Sequence, residues 1–192
     1  MSGFNSKAKS TDMVAASVHV DRDLQARAGA GGVFHIQCYD KDGNLKWEVE
    51  EHNLVVNEGL QDMNTKYFKG VTYSAAWYIG LVNNTPTPSY AAGDTLASHV
   101  GWDETTDYSG NRKAVTFGTA TTADPSVISN SASPAQFSMT GTVTVDGAFL
   151  ASVDTGTSGV LFSVSAFQAP GDRAVVSGDT LNVTYQFSLD AA

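Results

Sequence analysis

The feature that most constrains the fold of this chain is a strict two-residue alternation near its C-terminal end. From residue 181 to residue 189, every second residue is a large apolar or aromatic side chain, and the residues between them are Asn, Thr, Gln and Ser. Because successive side chains of a strand point to opposite faces, this pattern predicts a strand with one buried face and one solvated face. The predicted buried face consists of Leu181, Val183, Tyr185, Phe187 and Leu189.

Similar segments recur along the chain, separated by clusters of Gly, Asn, Pro and Asp that favour turns. The predicted strands cover residues 33–39, 45–56, 77–83, 113–118, 137–145, 148–153, 160–167 and 181–189. Inside the fifth of these, Gly141 predicts a bulge or a close backbone approach. Short strands at this spacing predict an all-β fold, a single β-sandwich of jelly-roll or immunoglobulin-like type, with a closed barrel as the alternative.

One segment departs from the two-residue period. Leu60, Met63 and Tyr67 recur at helical spacing. Asn57 precedes them as a candidate N-terminal cap, and Gly70 follows them as a candidate helix end. We therefore predict one short helix near residues 57–69.

The first 32 residues differ from the others in composition. They are rich in Ala, Gly and Ser and end in a glycine-rich run over residues 28–32, which predicts a hinge. This segment carries four basic and three acidic residues, against seven basic and 17 acidic residues in the remainder. We therefore predict a flexible N-terminal arm, residues 1–32, and a β-sandwich domain, residues 33–192.

The arm contains one apolar segment, residues 13–20. A leader of this composition is expected to be disordered when free, and it can still become ordered on a neighbouring subunit, so the two interpretations are compatible. The predicted partner-contacting residues of the arm are Met13, Val14, Val18 and Val20.

The charge balance excludes several function classes. The net charge is -9 and the pI is about 4.6, so the chain would repel a phosphate backbone, and we expect no nucleic-acid partner. The sequence has no apolar run long enough to span a bilayer and no secretory signal pattern, so we expect no membrane partner and synthesis in a cytoplasm. The single cysteine, Cys38, excludes an intrachain disulfide.

The residues that usually carry catalysis or bind metals do not form a recognisable motif. The four histidines are far apart in sequence, and no phosphate-binding, dinucleotide-binding or nucleophile motif is present. The loop 40–44 has some likeness to a calcium loop, but its glycine comes too early and the final Glu is missing, which favours a simple turn. We therefore expect no enzymatic activity, no metal and no cofactor.

Two long polar segments, residues 84–111 and 119–135, interrupt the strand pattern, and loops of this length are usually functional or held by partners. The first contains Asp103, Glu104 and Asp107 beside two aromatic residues. Paired carboxylates beside aromatic rings are also what a glycosidase requires, although a solvated acidic loop is the favoured interpretation. The candidate surface-loop contacts are Trp102 and Tyr108.

Residues 42–47 (DGNLKW) and 52–60 (HNLVVNEGL) resemble a module of tailed-bacteriophage structural proteins. In that module, a strand ending in the pattern N-L-V-x-N-x-G-L leads into a short helix. Residues 78–81 (YIGL), 93–96 (GDTL) and 178–189 (GDTLNVTYQFSL) are similar to other parts of the same family. The resemblance covers residues 32–192 and transfers no catalytic residue.

The resemblance implies a non-enzymatic component of a phage virion. Its nearest counterpart is a capsid decoration (cement) protein that clamps neighbouring capsid subunits on the outer capsid surface. The implied partners are the major capsid protein and further copies of the chain itself, in a homo-oligomer. The alternative is a receptor- or glycan-binding module of a tail fibre or another appendage. Fibre proteins usually carry a trimerising repeat or an adaptor domain, and since this sequence has neither, the decoration protein is favoured.

Overall fold

The computed structural model describes residues 29–167 and 173–191, and within these ranges the chain forms twelve strands and one helix. In chain order they are β1 (Gly29–Tyr39), β2 (Leu45–His52), β3 (Leu54–Val55), α1 (Asn57–Lys69), β4 (Tyr78–Asn83), β5 (Asp103–Thr105), β6 (Lys113–Ala114), β7 (Ser126–Ser129), β8 (Ala135–Ser138), β9 (Val143–Ala151), β10 (Leu161–Ala166), β11 (Arg173–Val175) and β12 (Thr180–Asp190). The predicted all-β class, with one short helix, is confirmed.

The strands form two antiparallel sheets that make a β-sandwich. The first sheet has the order β2-β1-β12-β7, and β8 pairs with β12 beside β7. The second sheet has the order β3-β10-β9-β4-β5. Its remaining strands, β11 and β6, pair with β9 and β4 respectively. The two longest strands, β1 and β12, are neighbours, and every residue of β1 is paired with a residue of β12.

The core lies between the sheets and is built from alternate residues of the long strands. From the first sheet come Phe34, Ile36 and Cys38 of β1 and the predicted residues Leu181, Val183 and Tyr185 of β12, all fully buried. The second sheet contributes Ile79, Leu81, Val145 and Leu150. Burying this many large apolar side chains is the dominant favourable term in folding.

The buried face predicted for the last strand is wrong at its end. Phe187 is only partly buried, where its ring lies 5.3 Å from that of Phe162, and Leu189 is 41% exposed. Leu189 pairs with Ala30 on one side and Ser126 on the other, so its neighbours are small and cannot cover it.

The first strand begins at Gly29, four residues before the predicted start of the domain. The glycines predicted to form a hinge are therefore part of the sheet and pair with β12. A Cβ atom on Gly32 would lie 2.6 Å from the carbonyl oxygen of Gln186, so this glycine permits a close backbone approach. The arm residues predicted to contact a partner, Met13, Val14, Val18 and Val20, lie outside the described residues.

Two segments predicted as single strands are divided where the chain crosses from the first sheet to the second. Residues 45–56 change sheets at Asn53, whose backbone N–H donates to the carbonyl of Gly32 at 2.9 Å. Residues 137–145 change sheets between β8 and β9, and Gly141 lies in this crossing. A Cβ atom on Gly141 would lie 2.5 Å from Oδ1 of Asp107, which explains the glycine as a close approach rather than a strand residue.

Helix α1 has the predicted limits and ends at Gly70 in the left-handed conformation, at φ 64°. The predicted cap is wrong, because the capping position is Val56 and no side chain caps the helix. Asn57 is instead the first helical residue, and its backbone N–H donates to the carbonyl of Ala92 at 2.8 Å. Of the three residues at helical spacing, Met63 packs partly buried against the core, whereas Leu60 and Tyr67 are exposed.

Glu58 and Gly59, at the start of α1, hold this helix to the sandwich. Oε2 of Glu58 accepts backbone hydrogen bonds from Leu96 at 3.0 Å and from Leu161 at 2.7 Å. Gly59 is buried against the backbone of Phe162 in β10. These two residues therefore tie the helix to a loop and to the second sheet through a half-buried carboxylate and a close backbone contact.

The sequence Gly-Asp-Thr-Leu occurs at residues 93–96 and again at 178–181, and both copies form the same turn. In each, Oδ2 of the aspartate accepts a hydrogen bond from the backbone N–H three residues earlier, at 3.0 Å for Asp94 and 2.9 Å for Asp179. The leucines, Leu96 and Leu181, are fully buried. The Gly-Asp-Thr-Leu sequence is thus a turn that places a leucine in the core.

Candidate functional site

The two aromatic residues predicted as surface-loop contacts are buried, so that prediction is wrong. Trp102 is 1% exposed and stacks on His99 with ring centroids 3.9 Å apart, while its Nε1 donates to Asp94 at 3.0 Å. Tyr108 is 5% exposed and makes an edge contact with Phe137 at 4.8 Å. Both side chains lie in the core beneath a polar loop, so neither ring is accessible to a ligand.

The acidic cluster beside them contains an ion pair that organises the loop. Glu104 accepts hydrogen bonds from Arg112 Nε at 2.9 Å and from Arg112 Nη2 at 2.7 Å. Burial and the nearby Glu104 carboxylate raise the pKa of Tyr108, which donates to Glu104 at 3.3 Å. Asp107 accepts from the hydroxyl of Thr105 at 3.1 Å, and Asp103 is exposed on β5. These contacts give Glu104 and Asp107 structural roles.

The loop after β1 forms the predicted turn. Oδ1 of Asp40 accepts the backbone N–H groups of Asp42 and Asn44, both at 2.9 Å, and the hydrogen bonds from Asn44 lower the pKa of the Asp40 carboxyl. Gly43 adopts φ 84°. The turn is therefore stabilised by the carboxylate of Asp40. The oxygen that accepts these hydrogen bonds is one that a calcium-binding loop would use to bind the cation.

The one cysteine is fully buried beside a buried carboxylate. Burial, followed by the charge of Asp179, raises the pKa of the Cys38 thiol to about 12. Oδ2 of Asp179 also accepts a hydrogen bond from Lys46 at 2.5 Å, so the carboxylate has a cationic partner. The thiol stays protonated at neutral pH and is a poor nucleophile.

Within residues 29–167 and 173–191, no three His, Cys, Asp or Glu side chains lie close enough together to bind a metal ion. The helix in the same part of the chain does not have the length and apolar character needed to cross a membrane.

An exposed aromatic patch lies at the C-terminal end of α1 and in the segment that follows it. We define the aromatic patch as Tyr67, Phe68, Val71 and Tyr73. Tyr67 is 83% exposed and Phe68 is 78% exposed, and their rings meet edge to face at 5.0 Å. The patch combines large apolar side chains with two exposed phenol groups, which is typical of a protein-contacting surface.

The base of the aromatic patch is held by one lysine and one tryptophan. Nζ of Lys66 lies 4.1 Å from the ring centroid of Tyr73 and 2.8 Å from a carboxylate oxygen of Asp62. The Tyr73 hydroxyl accepts a hydrogen bond from Nε1 of Trp77 at 2.9 Å, and Trp77 packs against Phe162 in the core. Part of the segment after α1 is therefore connected to the sandwich.

A second surface, the polar face, is the solvent side of the first sheet. The strand register places four side chains in one row across four strands, in the order Gln136, Asn182, Gln37 and Glu48. Hydrogen bonds join Gln136 Nε2 to Asn182 Oδ1 at 3.1 Å and Gln37 Nε2 to Glu48 Oε1 at 2.9 Å. The sequence alternation predicted that Asn182 faces solvent, and the strand order brings it beside the other three residues.

The sequence pattern does not predict the aromatic patch, because Tyr67 lies at helical spacing with Leu60 and Met63. The exposed pair Tyr67 and Phe68 is adjacent in the sequence, and adjacent residues of a helix lie about 100° apart, so both could not face one narrow interface. That adjacency is the signal that could have indicated an exposed ring.

No protein-family model, curated protein or solved structure significantly matches the chain.

Proposed function

We propose that the chain is a non-enzymatic structural component of a phage particle, a capsid decoration protein that clamps neighbouring capsid subunits. The observation that carries this proposal is the aromatic patch, because it is a surface suited to protein contact on a domain whose buried polar groups serve structural roles. The residues that resemble phage structural proteins are the reason for proposing a phage particle, and the aromatic patch is the proposed surface of attachment.

The exposure of the Tyr67 and Phe68 rings to water is unfavourable. A partner that buried them would remove this unfavourable free energy. Each of these rings buries on the order of 150 Å² or more when fully covered, and each Å² contributes about 25 cal/mol. After the loss of side-chain freedom is subtracted, the gain is roughly 2–3 kcal/mol per ring. Edge-to-face contact between the two rings restricts that freedom before binding. Tyrosine and other large aromatic residues are also the side chains that most often dominate binding energy at protein interfaces.

Charge favours a particular partner surface. The chain carries a net charge of -9, but the last turn of α1 contains the exposed Lys69, whereas Lys66 is paired with Asp62. We therefore expect the partner, in this proposal the major capsid protein, to present an apolar cleft with carboxylates at its rim. Complementary charge at the rim would guide association and fix orientation more than it would add affinity.

In the same proposal, the N-terminal arm and further copies of the chain complete the clamp. Clamping requires at least two contacts per molecule, and linking two contacts raises the overall affinity through effective concentration. The arm continues from Gly29, which pairs with Asp190 at one edge of the described sandwich. The protein would lie on the outer capsid surface after synthesis in the host cytoplasm.

The test is co-sedimentation of the purified protein with expanded phage capsids. We expect the double variant Tyr67→Ala, Phe68→Ala to bind at least about 30-fold more weakly, which corresponds to about 2 kcal/mol. Val100→Ala is the matched control, because Val100 is an equally exposed apolar side chain in a different loop. Both proteins should melt within a few degrees of the wild type, since neither change removes buried atoms.

Wild-type protein that does not sediment with capsids would contradict the decoration function. Binding that is unchanged in the double variant would contradict attachment through the aromatic patch. Removal of residues 2–28 tests the arm separately, and this truncation stops before β1 so that the sheet is preserved. We expect it to weaken capsid binding at least tenfold and to leave the melting temperature within a few degrees.

A further inference from the structure

Three of the four side chains in the row on the polar face are carboxamides, which can both donate and accept hydrogen bonds, and the fourth, the Glu48 carboxylate, only accepts. Neighbouring strands are about 4.8 Å apart, so the row from Gln136 to Glu48 extends roughly 14 Å across the first sheet. Carboxamides offer two donors and an acceptor in one plane. Such a row matches a ligand that carries many groups able to donate and accept at once.

A groove lies at one end of this row. It has a volume of about 330 Å³ and is lined by Tyr39, Asp40, Lys41, Gln136, Thr180 and Asn182, among others. This volume is at the lower end of the range for small-molecule sites. The groove lies between the turn after β1 and the first residues of β12, two parts of the chain brought together by the pairing of Tyr39 with Thr180.

The groove is preorganised by hydrogen bonds among its own residues. The Asp40 carboxylate fixes the turn on one side, and the Gln136 amide is oriented by Asn182. The Tyr39 hydroxyl donates to Oε1 of Gln37 at 3.1 Å, which holds that half-buried ring beside the groove. Side chains already held in place lose little conformational entropy on binding, which favours affinity for a small polar ligand.

Asn182 is the central polar group of this site. Its Oδ1 accepts from Gln136, and within the described residues no hydrogen bond engages its amide N–H groups or Oε1 of Gln136. These donors and this acceptor belong to two side chains that are cross-strand neighbours. A ring hydroxyl can accept from Asn182 and donate to Gln136 at the same time.

The charge of the surroundings selects among polar ligands. Asp40, Asp42 and Glu48 lie in or near the groove, and Lys41, the cation that lines it, is paired with Asp42 at 2.9 Å. Both Asp40 and Glu48 have a pKa below the usual value because of hydrogen bonds to their carboxylates, so both are anionic at neutral pH. An anionic sugar would be repelled, whereas a neutral one would not.

From these observations we propose that the groove between the β1 turn and β12, with the adjoining amide row, binds a short neutral oligosaccharide. This site goes beyond the decoration function and does not depend on it. Sugar hydroxyls replace water on Asn182 and Gln136, and one sugar ring lies against Tyr39.

The test is NMR titration of the full chain with maltotriose, cellotriose and the trimer of N-acetylglucosamine, with a sialylated trisaccharide as the anionic comparison. We expect at least one neutral trisaccharide to bind saturably with a Kd of about 1 mM or tighter, and the anionic one to bind more weakly. The amide signals that shift should be those of residues 39–44, 136 and 178–182.

Asn182→Ala should weaken binding at least tenfold. Gln186→Ala is the matched control, since Gln186 lies on the same strand and the same face two rows away, and it should change the Kd less than twofold. If Asn182→Ala does not fold, Gln136→Ala on β8 tests the same hydrogen-bond pair.

Absence of saturable binding by all three neutral trisaccharides at about 10 mM would overturn the proposal. So would equal affinities of the wild type and the Asn182 variant, or shifts confined to another surface. The capsid experiment is independent, because the Tyr67 and Phe68 variant should keep its sugar binding and the Asn182 variant should keep its capsid binding.

Discussion

Replacing Gly59 with alanine tests how helix α1 is held on the sandwich. A Cβ atom at this position would lie 2.4 Å from the carbonyl oxygen of Phe162 and 2.9 Å from its Cα atom. Both obstructing atoms belong to the backbone of β10, in the centre of the second sheet's buried region, so no side-chain rotation can relieve the overlap. The helix must move instead.

The expected cost follows from the size of that movement. A relaxed contact between carbon and oxygen is about 3.3 Å, so α1 must shift by roughly 1 Å. Overpacking of this kind costs on the order of 3 kcal/mol, and the shift also weakens the two hydrogen bonds to Glu58, each worth about 1.5 kcal/mol or more because the acceptor is charged. Alanine recovers about 1 kcal/mol through its higher helix propensity. The net loss is about 3–5 kcal/mol.

The assay is urea unfolding of Gly59→Ala beside the wild type, followed by thermal melts. For a domain of this size we expect the melting temperature to fall by roughly 6–15 °C. Gly93→Ala is the control, because a Cβ atom on Gly93 would have no atom within 4 Å, and its stability should be unchanged or slightly higher. A Gly59→Ala protein that melts within about 2 °C of the wild type would refute the inferred role of the close contact.

Three further changes test other parts of the structure. Arg112→Ala removes a buried cation that holds Glu104 and the Val153 carbonyl, so urea unfolding should show a loss of about 3–5 kcal/mol, and a loss below about 1 kcal/mol would contradict the structural role of the ion pair. Phe187→Ala should cost about 2 kcal/mol and Leu189→Ala less than about 0.5 kcal/mol, because only Phe187 packs on Phe162, and equal losses would contradict the described burial. Because folding raises the pKa of the Cys38 thiol from 9.0 to about 12, the neutral thiol contributes stability that is complete below about pH 9 and is lost as the pH rises toward 12. The unfolding free energy of the wild type should therefore fall more steeply than that of Cys38→Ala between those pH values, and parallel curves would show that folding does not raise this pKa.

The sequence predicted the sandwich because apolar and polar side chains alternate clearly along the long strands. The short strands contribute little to that pattern. Strands β1, β4, β10 and β12 match predicted segments to within a few residues. Strands β5, β7 and β11 have three or four residues each, too few to show an alternation against their polar surroundings.

The crossings between sheets could not be predicted from local sequence. A segment such as 45–56 keeps its strand conformation on both sides of Asn53, and the change of sheet is decided by which neighbours are available after folding. Register and strand order in turn decide which solvent-facing side chains become neighbours. The row on the polar face therefore required the structure, although the alternation of the last strand placed Asn182 on its solvated face.

The aromatic residues show a different limit of sequence reasoning. A polar segment around Trp102 predicted an exposed ring, but a single aspartate, Asp94, satisfies the indole N–H and allows the ring to be buried. Conversely, Tyr67 lies at helical spacing with Met63 but is exposed, and the helix contacts the sandwich through Gly59 and the partly buried Met63. Small residues carry packing information that a pattern of large apolar residues does not contain.

The pairing of Gly29 with Asp190 also determines how the domain responds to mechanical force. Because these two residues are opposite each other at one end of the β1–β12 ladder, a force that pulls them apart loads the backbone hydrogen bonds one pair after another and opens the ladder progressively. A force applied between Gly29 and Thr180, at the opposite end of the ladder on β12, would instead act along both strands and load many of those bonds together. Resistance to pulling on residue 29 therefore depends on where the other end of the load is attached.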